Sequence, residues 1–185
     1  MPPRLAVDMR QADWSHPTAG LAEGEAEAAL LRLPFPGQDA FNVEVLLTEP
    51  RWVALPETHR LAASPQIAFA DLRDEPFIWT SRSPAPPGMD QWQDHWLATG
   101  EHDDRPVRIG SITRNPDEWL TAIASGYGIS LAPDSAARFY QRPGVIYRPV
   151  TGVSPSQVGV AWAPADNDNP VIQDFVQCCI AHRTP

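Results

Sequence analysis

All fourteen basic residues of this chain other than histidine are arginine, and Arg32 and Arg82 stand where strand-like segments give way to loops. A guanidinium there can hold a carboxylate through two parallel hydrogen bonds. Thr80 and Ser81 precede Arg82 and offer hydroxyls and backbone N–H groups ahead of a predicted helix, a setting that favours an anion. Leu33 and Pro34 follow Arg32, while Ser111, Thr113 and Tyr127 fall at the next two strand ends of the same region. Ligands in open α/β sheets gather at the carboxyl ends of strands. Together these residues point to a binding site for a small organic acid.

Catalytic arrangements are not found. The sequence has no G-x-S-x-G, no phosphate-binding G-x-x-x-x-G-K-[ST], no H-E-x-x-H and no C-x-x-C, so no catalytic residue is nominated and no cofactor is called for. Gly126-Tyr127-Gly128 closes a predicted helix instead of opening one, which argues against a dinucleotide site. The histidines at 16, 59, 95, 102 and 182 have no motif partner; His95 reads as a solvated helix position, and His102 to Asp104 as a solvated loop. Cys178 and Cys179 are adjacent and lack a second pair at ligand spacing, so they read as reduced thiols and no metal is expected.

The elements that must position the candidates follow from local patterns. Leu5–Met9, Ala28–Leu33, Val43–Thr48, Arg51–Pro56, Pro76–Thr80, Val107–Ile112, Gly128–Pro133, Val145–Val150 and Val158–Trp162 read as strands. Helices are expected over His16–Gly24, Met89–Ala98 with Gly100 as its stop, a segment capped by Asn115-Pro116-Asp117-Glu118, Asp134–Arg142, and a final segment after Asn169-Pro170. The last presents Val171, Ile172, Phe175, Val176, Cys179 and Ile180 on one face. Strands interleaved with single helices predict an α/β fold with mainly parallel sheets.

Composition sets limits on function. With 185 residues, 43% hydrophobic and 20% charged, the chain is long enough for one large domain or two small lobes. The net charge of −9, with arginines scattered singly, excludes DNA binding by this chain alone. No apolar run nears the ~18 residues of a membrane span, and no secretory signal is visible at the N-terminus, which places the expected location in the cytoplasm.

The phrases LTEPRWVALPETHRLA and IASGYGISLAPDSA, with FADLRDEPFIW between them and VGVAW before the last helix, resemble the effector-binding domain of LysR-type transcriptional regulators. The resemblance runs from about Arg4 to His182. It implies two Rossmann-like lobes of periplasmic-binding-protein type joined by two crossing strands. The outer lobe would comprise residues 1–49 and 149–185 and the inner lobe residues 50–148, with Glu49, Pro50, Arg148 and Pro149 as the hinge. It further implies effector contacts at Arg32 to Pro34, Thr80 and Ser81, and more loosely Thr113 and Tyr127, and pairing of two copies through the lobes. The family's winged helix-turn-helix and the first strand and helix of its outer lobe have no counterpart in these residues. The alternative reading is a stand-alone solute-binding protein of the same fold.

Overall fold

The computed structural model describes residues 7–14, 16–80, 89–103 and 105–183. In chain order the strands are β1 (Ala28–Leu33), β2 (Asn42–Glu49), β3 (Arg51–Pro56), β4 (Ile67–Ala68), β5 (Phe77–Trp79), β6 (Ile109–Ile112), β7 (Ser130–Pro133), β8 (Val145–Thr151) and β9 (Ser156–Trp162). The helices are α1 (Met89–Leu97), α2 (Pro116–Ala124), α3 (Ala136–Phe139) and α4 (Pro170–Ala181). The chain forms two compact units, residues 1–47 with 157–185, and residues 48–156. All of β8, with Arg148 and Pro149 in its middle, therefore belongs to the second unit, and the chain leaves that unit only after Ser156.

The first unit is built on a three-stranded sheet of order β1-β9-β2. Alternation along β1 sends Ala29, Leu31 and Leu33 into a cluster with Leu21, Phe35 and Ala161. A second cluster joins Val160 and Trp162 to Ile172 and Val176 of α4, with Cys179 packed against it and Cys178 exposed. Asn169 caps α4 by accepting the Val171 N–H at 3.1 Å, but Val171 itself is exposed. It lies on the exposed row with Asp174 and Cys178, about 100° round the helix from the row of Ile172 and Val176.

The second unit contains a four-stranded sheet, β4-β8-β3-β7, and a parallel pair, β5-β6. β3 pairs antiparallel with both β7 and β8, and Val53, Ala54 and Leu55 are fully buried. β5 continues toward β7 through a parallel bridge between Phe77 and Ile129. Two glycines allow that approach: a Cβ on Gly128 would stand 2.6 Å from the Pro76 carbonyl oxygen, and one on Gly110 would collide with the carbonyl of Tyr127. Asn115 caps α2 as its sequence predicts, accepting the Glu118 N–H at 2.9 Å. The Glu118 carboxylate answers on the N–H of Arg114 at 2.9 Å, one residue beyond the usual capping box. Gly126 then ends the helix at φ 76°.

Several local expectations give way to longer-range forces. Of Leu5–Met9, residues 5 and 6 lie outside the described residues, and Val7 to Met9 are exposed and form no strand. His16–Gly24 is a run of tight turns, because Ala19 and Gly20 take positive φ (49° and 86°) and no helix passes through them. α1 stops at Ala98, left-handed at φ 53°, not at Gly100. α3 is confined to four residues of the predicted Asp134–Arg142. The sheets are not mainly parallel, since β1–β9, β3–β7 and β3–β8 are all antiparallel. Strand–helix alternation in sequence does not dictate which strands become neighbours. His102 is not solvated but fully buried, edge-on to Phe69 and Phe77 with ring centroids 5.0 and 5.5 Å away, and its Nε2 lies 3.1 Å from the Leu97 carbonyl oxygen.

Replacing the α2 cap tests this account of local order. Asn115→Ala is expected to lower the unfolding free energy by about 1 kcal/mol in urea titrations, with Asn115→Asp close to the parent chain; equal stabilities of the parent chain and Asn115→Ala would show that the cap contributes nothing.

Candidate functional site

The parallel pairing of β5 and β6 decides which polar residues meet. Trp79 is level with Ile112, so Thr80 and Thr113 are adjacent residues just past the two strand ends. The Thr113 N–H donates to the Trp79 carbonyl at 2.8 Å, and its hydroxyl lies 3.5 Å from the same oxygen. Thr113 is buried, and its two contacts with the Trp79 carbonyl tie the strand ends together. Thr80 beside it is only half-buried, which leaves its side chain the more available of the two. Trp79 packs against Trp92 of α1 with ring centroids 5.3 Å apart, giving this edge an aromatic wall.

Other candidates fall elsewhere. Ser81 and Arg82 lie outside the described residues. Tyr127 is exposed in the turn after α2, and its carbonyl lies against Gly110 at the start of β6. It therefore sits at the opposite end of the parallel strands from Thr80, because the segment after Gly126 begins a strand instead of ending one. In the first unit, Arg32 is half-buried on β1 opposite Val158, Leu33 is buried in the core, and Pro34 follows a cis peptide bond.

The hinge candidates are firmly held. Glu49 is buried, and its two carboxylate oxygens accept the backbone N–H of Ser135 at 2.8 Å and its hydroxyl at 3.2 Å. Pro50 is exposed, and its carbonyl accepts the Asp134 N–H at 3.0 Å. Arg148 donates to the carbonyls of Ala62 and Tyr147 at 3.0 and 2.9 Å. Pro149 stands opposite Trp52 in the β3–β8 ladder.

One group escapes sequence reasoning altogether. Arg51, the first residue of β3, is 1% exposed, and none of its three side-chain nitrogens has a hydrogen-bond partner among the described residues. Its guanidinium carbon lies 5.5 Å from the centre of the Trp96 ring, within cation–π range. The Trp96 Nε1 and the His95 Nε2 are also buried without partners, and the two rings are 5.5 Å apart. Burial pulls the Arg51 pKa down to about 10 against the opposing pull of Glu101. Burial, aided by the Arg51 charge, pushes His95 down to about 4. His95 is thus a neutral imidazole at pH 7 and not the solvated residue its neighbours in sequence suggest. The pair Trp92 and Trp96 is the available signal; nothing local marks the arginine directly after Pro50 as buried.

The sequence matches the LysR substrate binding domain family over residues 2–184. The chain belongs to this family. It is 28% identical over 160 residues to the HTH-type transcriptional regulator BudR of Raoultella terrigena, covering 85% of this chain and 53% of that protein. It is 25% identical to the uncharacterized HTH-type transcriptional regulator YnfL of Escherichia coli K12, covering 94% and 57%. The chain therefore spans a little over half the length of these relatives. Among solved structures, the reduced form of OxyR matches with a TM-score of 0.67 at 22% identity, covering 93% of this chain and 78% of that one. CbnR, a LysR family regulator, matches at 0.68 and 16% identity, covering 94% and 58%. The fold is α/β with two lobes of periplasmic-binding-protein type, and the LysR substrate-binding domain carries an effector-binding regulatory role. Among the described residues no group of histidine, cysteine and carboxylate side chains could hold a metal, and no helix is long and apolar enough to cross a membrane.

The depressed pKa of His95 has a signed consequence. The unfolded chain takes up this proton near pH 6.5 and the folded chain only near 4, so stability held above pH 6.5 is lost as the pH falls through that window. The urea midpoint of the parent chain should fall relative to that of His95→Gln between about pH 7 and about pH 4. A gap that stays constant with pH rejects the assignment.

Proposed function

We propose that this chain is the sensing part of a LysR-type transcriptional regulator and that it binds a small organic acid. The effector engages Arg32 to Pro34 of one lobe and Thr80, Ser81 and Arg82 of the other, and so biases the arrangement of the lobes. The observation that carries the reading is the pair of parallel strand ends where Thr80 lies half-exposed beside the anchored Thr113. Such a position offers a hydroxyl and backbone donors to a carboxylate without requiring the protein to reorganise. Arg32 adds a cation that never loses its proton at physiological pH. Binding changes the lobe equilibrium only to the extent that the effector prefers one arrangement. Operator recognition belongs to a separate DNA-binding segment, since the net charge of −9 opposes contact with phosphates by this chain alone. The working assembly is a pair of copies joined through the lobes, as the resemblance implies, its place is the cytoplasm, as the lack of a secretory signal in the sequence suggests, and no catalytic step is assigned.

Thermal unfolding followed by tryptophan fluorescence, against a panel of aromatic and aliphatic carboxylates, amino acids and sugars, tests the reading. A carboxylate at ~100 times its Kd should add about 2.7 kcal/mol, a rise of roughly 5–10 °C for a chain of this size. Thr80→Val and Arg32→Gln should each reduce the rise, and X-ray scattering should show a change in the radius of gyration on binding. A midpoint indifferent to every compound, or scattering unchanged by a compound that binds, would defeat the binding and the lobe-shift parts respectively.

A further inference from the structure

We infer that the Arg51, His95 and Trp96 cluster inside the second unit is a binding site for a small monocarboxylate, separate from the strand-end residues Thr80 and Thr113. A guanidinium is a planar fork of five N–H donors that stays charged in proteins. Arg51 directs this fork into a setting where no oxygen of the described residues accepts from it. The face of Trp96 lies against the cation but leaves its N–H edges unused, because a cation–π contact draws on the ring face and not on hydrogen-bond acceptors. Two more buried nitrogens share the neighbourhood, the indole N–H of Trp96 and the Nε2 of His95. A carboxylate supplies what the donors lack: two oxygens for the guanidinium fork, a lone pair for the indole N–H, and an acceptor for His95 when its ring carries the proton on Nε2.

The charge balance selects the ligand. Arg51 contributes one positive charge, His95 is neutral because it lies beside that cation in a desolvated place, and Glu101 adds a nearby negative charge. Arg51 is the one cation of the cluster and Glu101 already lies near it, so a monocarboxylate leaves one negative charge in excess and a doubly charged phosphate two, which favours the monocarboxylate. The route is short. His95 and Trp96 are each partly exposed, so the guanidinium lies one side chain beneath the surface. Trp96 itself, lying against the cation, gives the cluster an aromatic surface suited to a ligand with an apolar body.

The test uses residues 1–185 and the probes benzoate, acetate, inorganic phosphate and chloride at matched ionic strength, read by isothermal titration calorimetry and thermal unfolding. Benzoate is expected to bind the parent chain, and phosphate and chloride are not. Arg51→Met should weaken benzoate roughly 10- to 100-fold, the effect of losing hydrogen bonds to a charged group. Its midpoint without ligand should be unchanged or higher, since the variant removes a buried charge without a partner. Trp96→Phe keeps the ring and removes the N–H, and should weaken benzoate by a smaller factor. Should Arg51→Met fail to fold, NMR of isotope-labelled arginine in the unaltered chain still decides the matter, because benzoate must shift the Arg51 Nε–H resonance. The inference is overturned if that resonance does not move, if Arg51→Met binds benzoate as the parent does, or if phosphate and chloride bind equally well. Loss of benzoate binding in Thr80→Val but not in Arg51→Met would overturn it and leave the strand-end reading standing.

Discussion

The chain enters its second unit by way of Glu49, Pro50 and Arg51, and both charged residues of that entry are buried. The cause is the strand that follows. β3 is bonded on one side to β7 and on the other to β8, and its middle residues are fully enclosed, so the Glu49 and Arg51 side chains are turned inward while Pro50 between them stays exposed. A buried carboxylate must find donors, and Glu49 finds them in the N–H and hydroxyl of Ser135. That pair, with the bond from Asp134 to Pro50, fastens the beginning of β3 to the end of β7. Arg51 obtains only the face of Trp96, so the two neighbouring charges are treated very differently by one strand. Desolvating an ion costs on the order of several kcal/mol, and Glu49 recovers it through hydrogen bonds that Arg51 does not have.

From that anchored sheet the rest of the unit is laid out. β7 fixes Ile129, Ile129 bridges to Phe77, and β5 carries β6 beside it in parallel. The close passage of Gly110 and Gly128 against neighbouring carbonyls makes this stacking feasible, since any larger side chain would force the strands apart. Thr80 and Thr113 come together only as the end result of this sequence of contacts. Neither residue is close to the other in the chain, and neither would be positioned by its own local preferences.

The division between what the sequence discloses and what it hides follows the range of the forces. Asn115 and Asn169 cap helices through groups two or three residues away, and β1 alternates apolar residues against a single core, so these features are readable one segment at a time. Strand order and direction depend on partners more than a hundred residues apart, as when β1 meets β9, and the expectation of mainly parallel sheets fails there. Ala19 and Ala98 adopt left-handed backbone that no propensity assigns to alanine. At the candidate site, Thr80 and Thr113 fall just past neighbouring strand ends as the local pattern predicts, whereas Tyr127 precedes β7 instead of ending a strand. His95 and His102 each follow an acidic residue in sequence, yet one abuts a buried cation and the other lies between two phenylalanines.

Net charge and local field also part company in this molecule. A total of −9 describes the exposed acids, and their effect on an approaching ion decays within about 8 Å at physiological ionic strength. A buried guanidinium is screened far less, so over the last few ångströms Arg51 outweighs acids that dominate at a distance. Burial is the larger cause of the depressed His95 pKa, and the Arg51 charge beside it adds to the effect. A polyanion such as DNA, which must contact many surface points at once, meets the net charge. A small anion that fits beneath Trp96 meets the local one. One acidic chain can therefore repel nucleic acid along its surface and still present a cation to a carboxylate within.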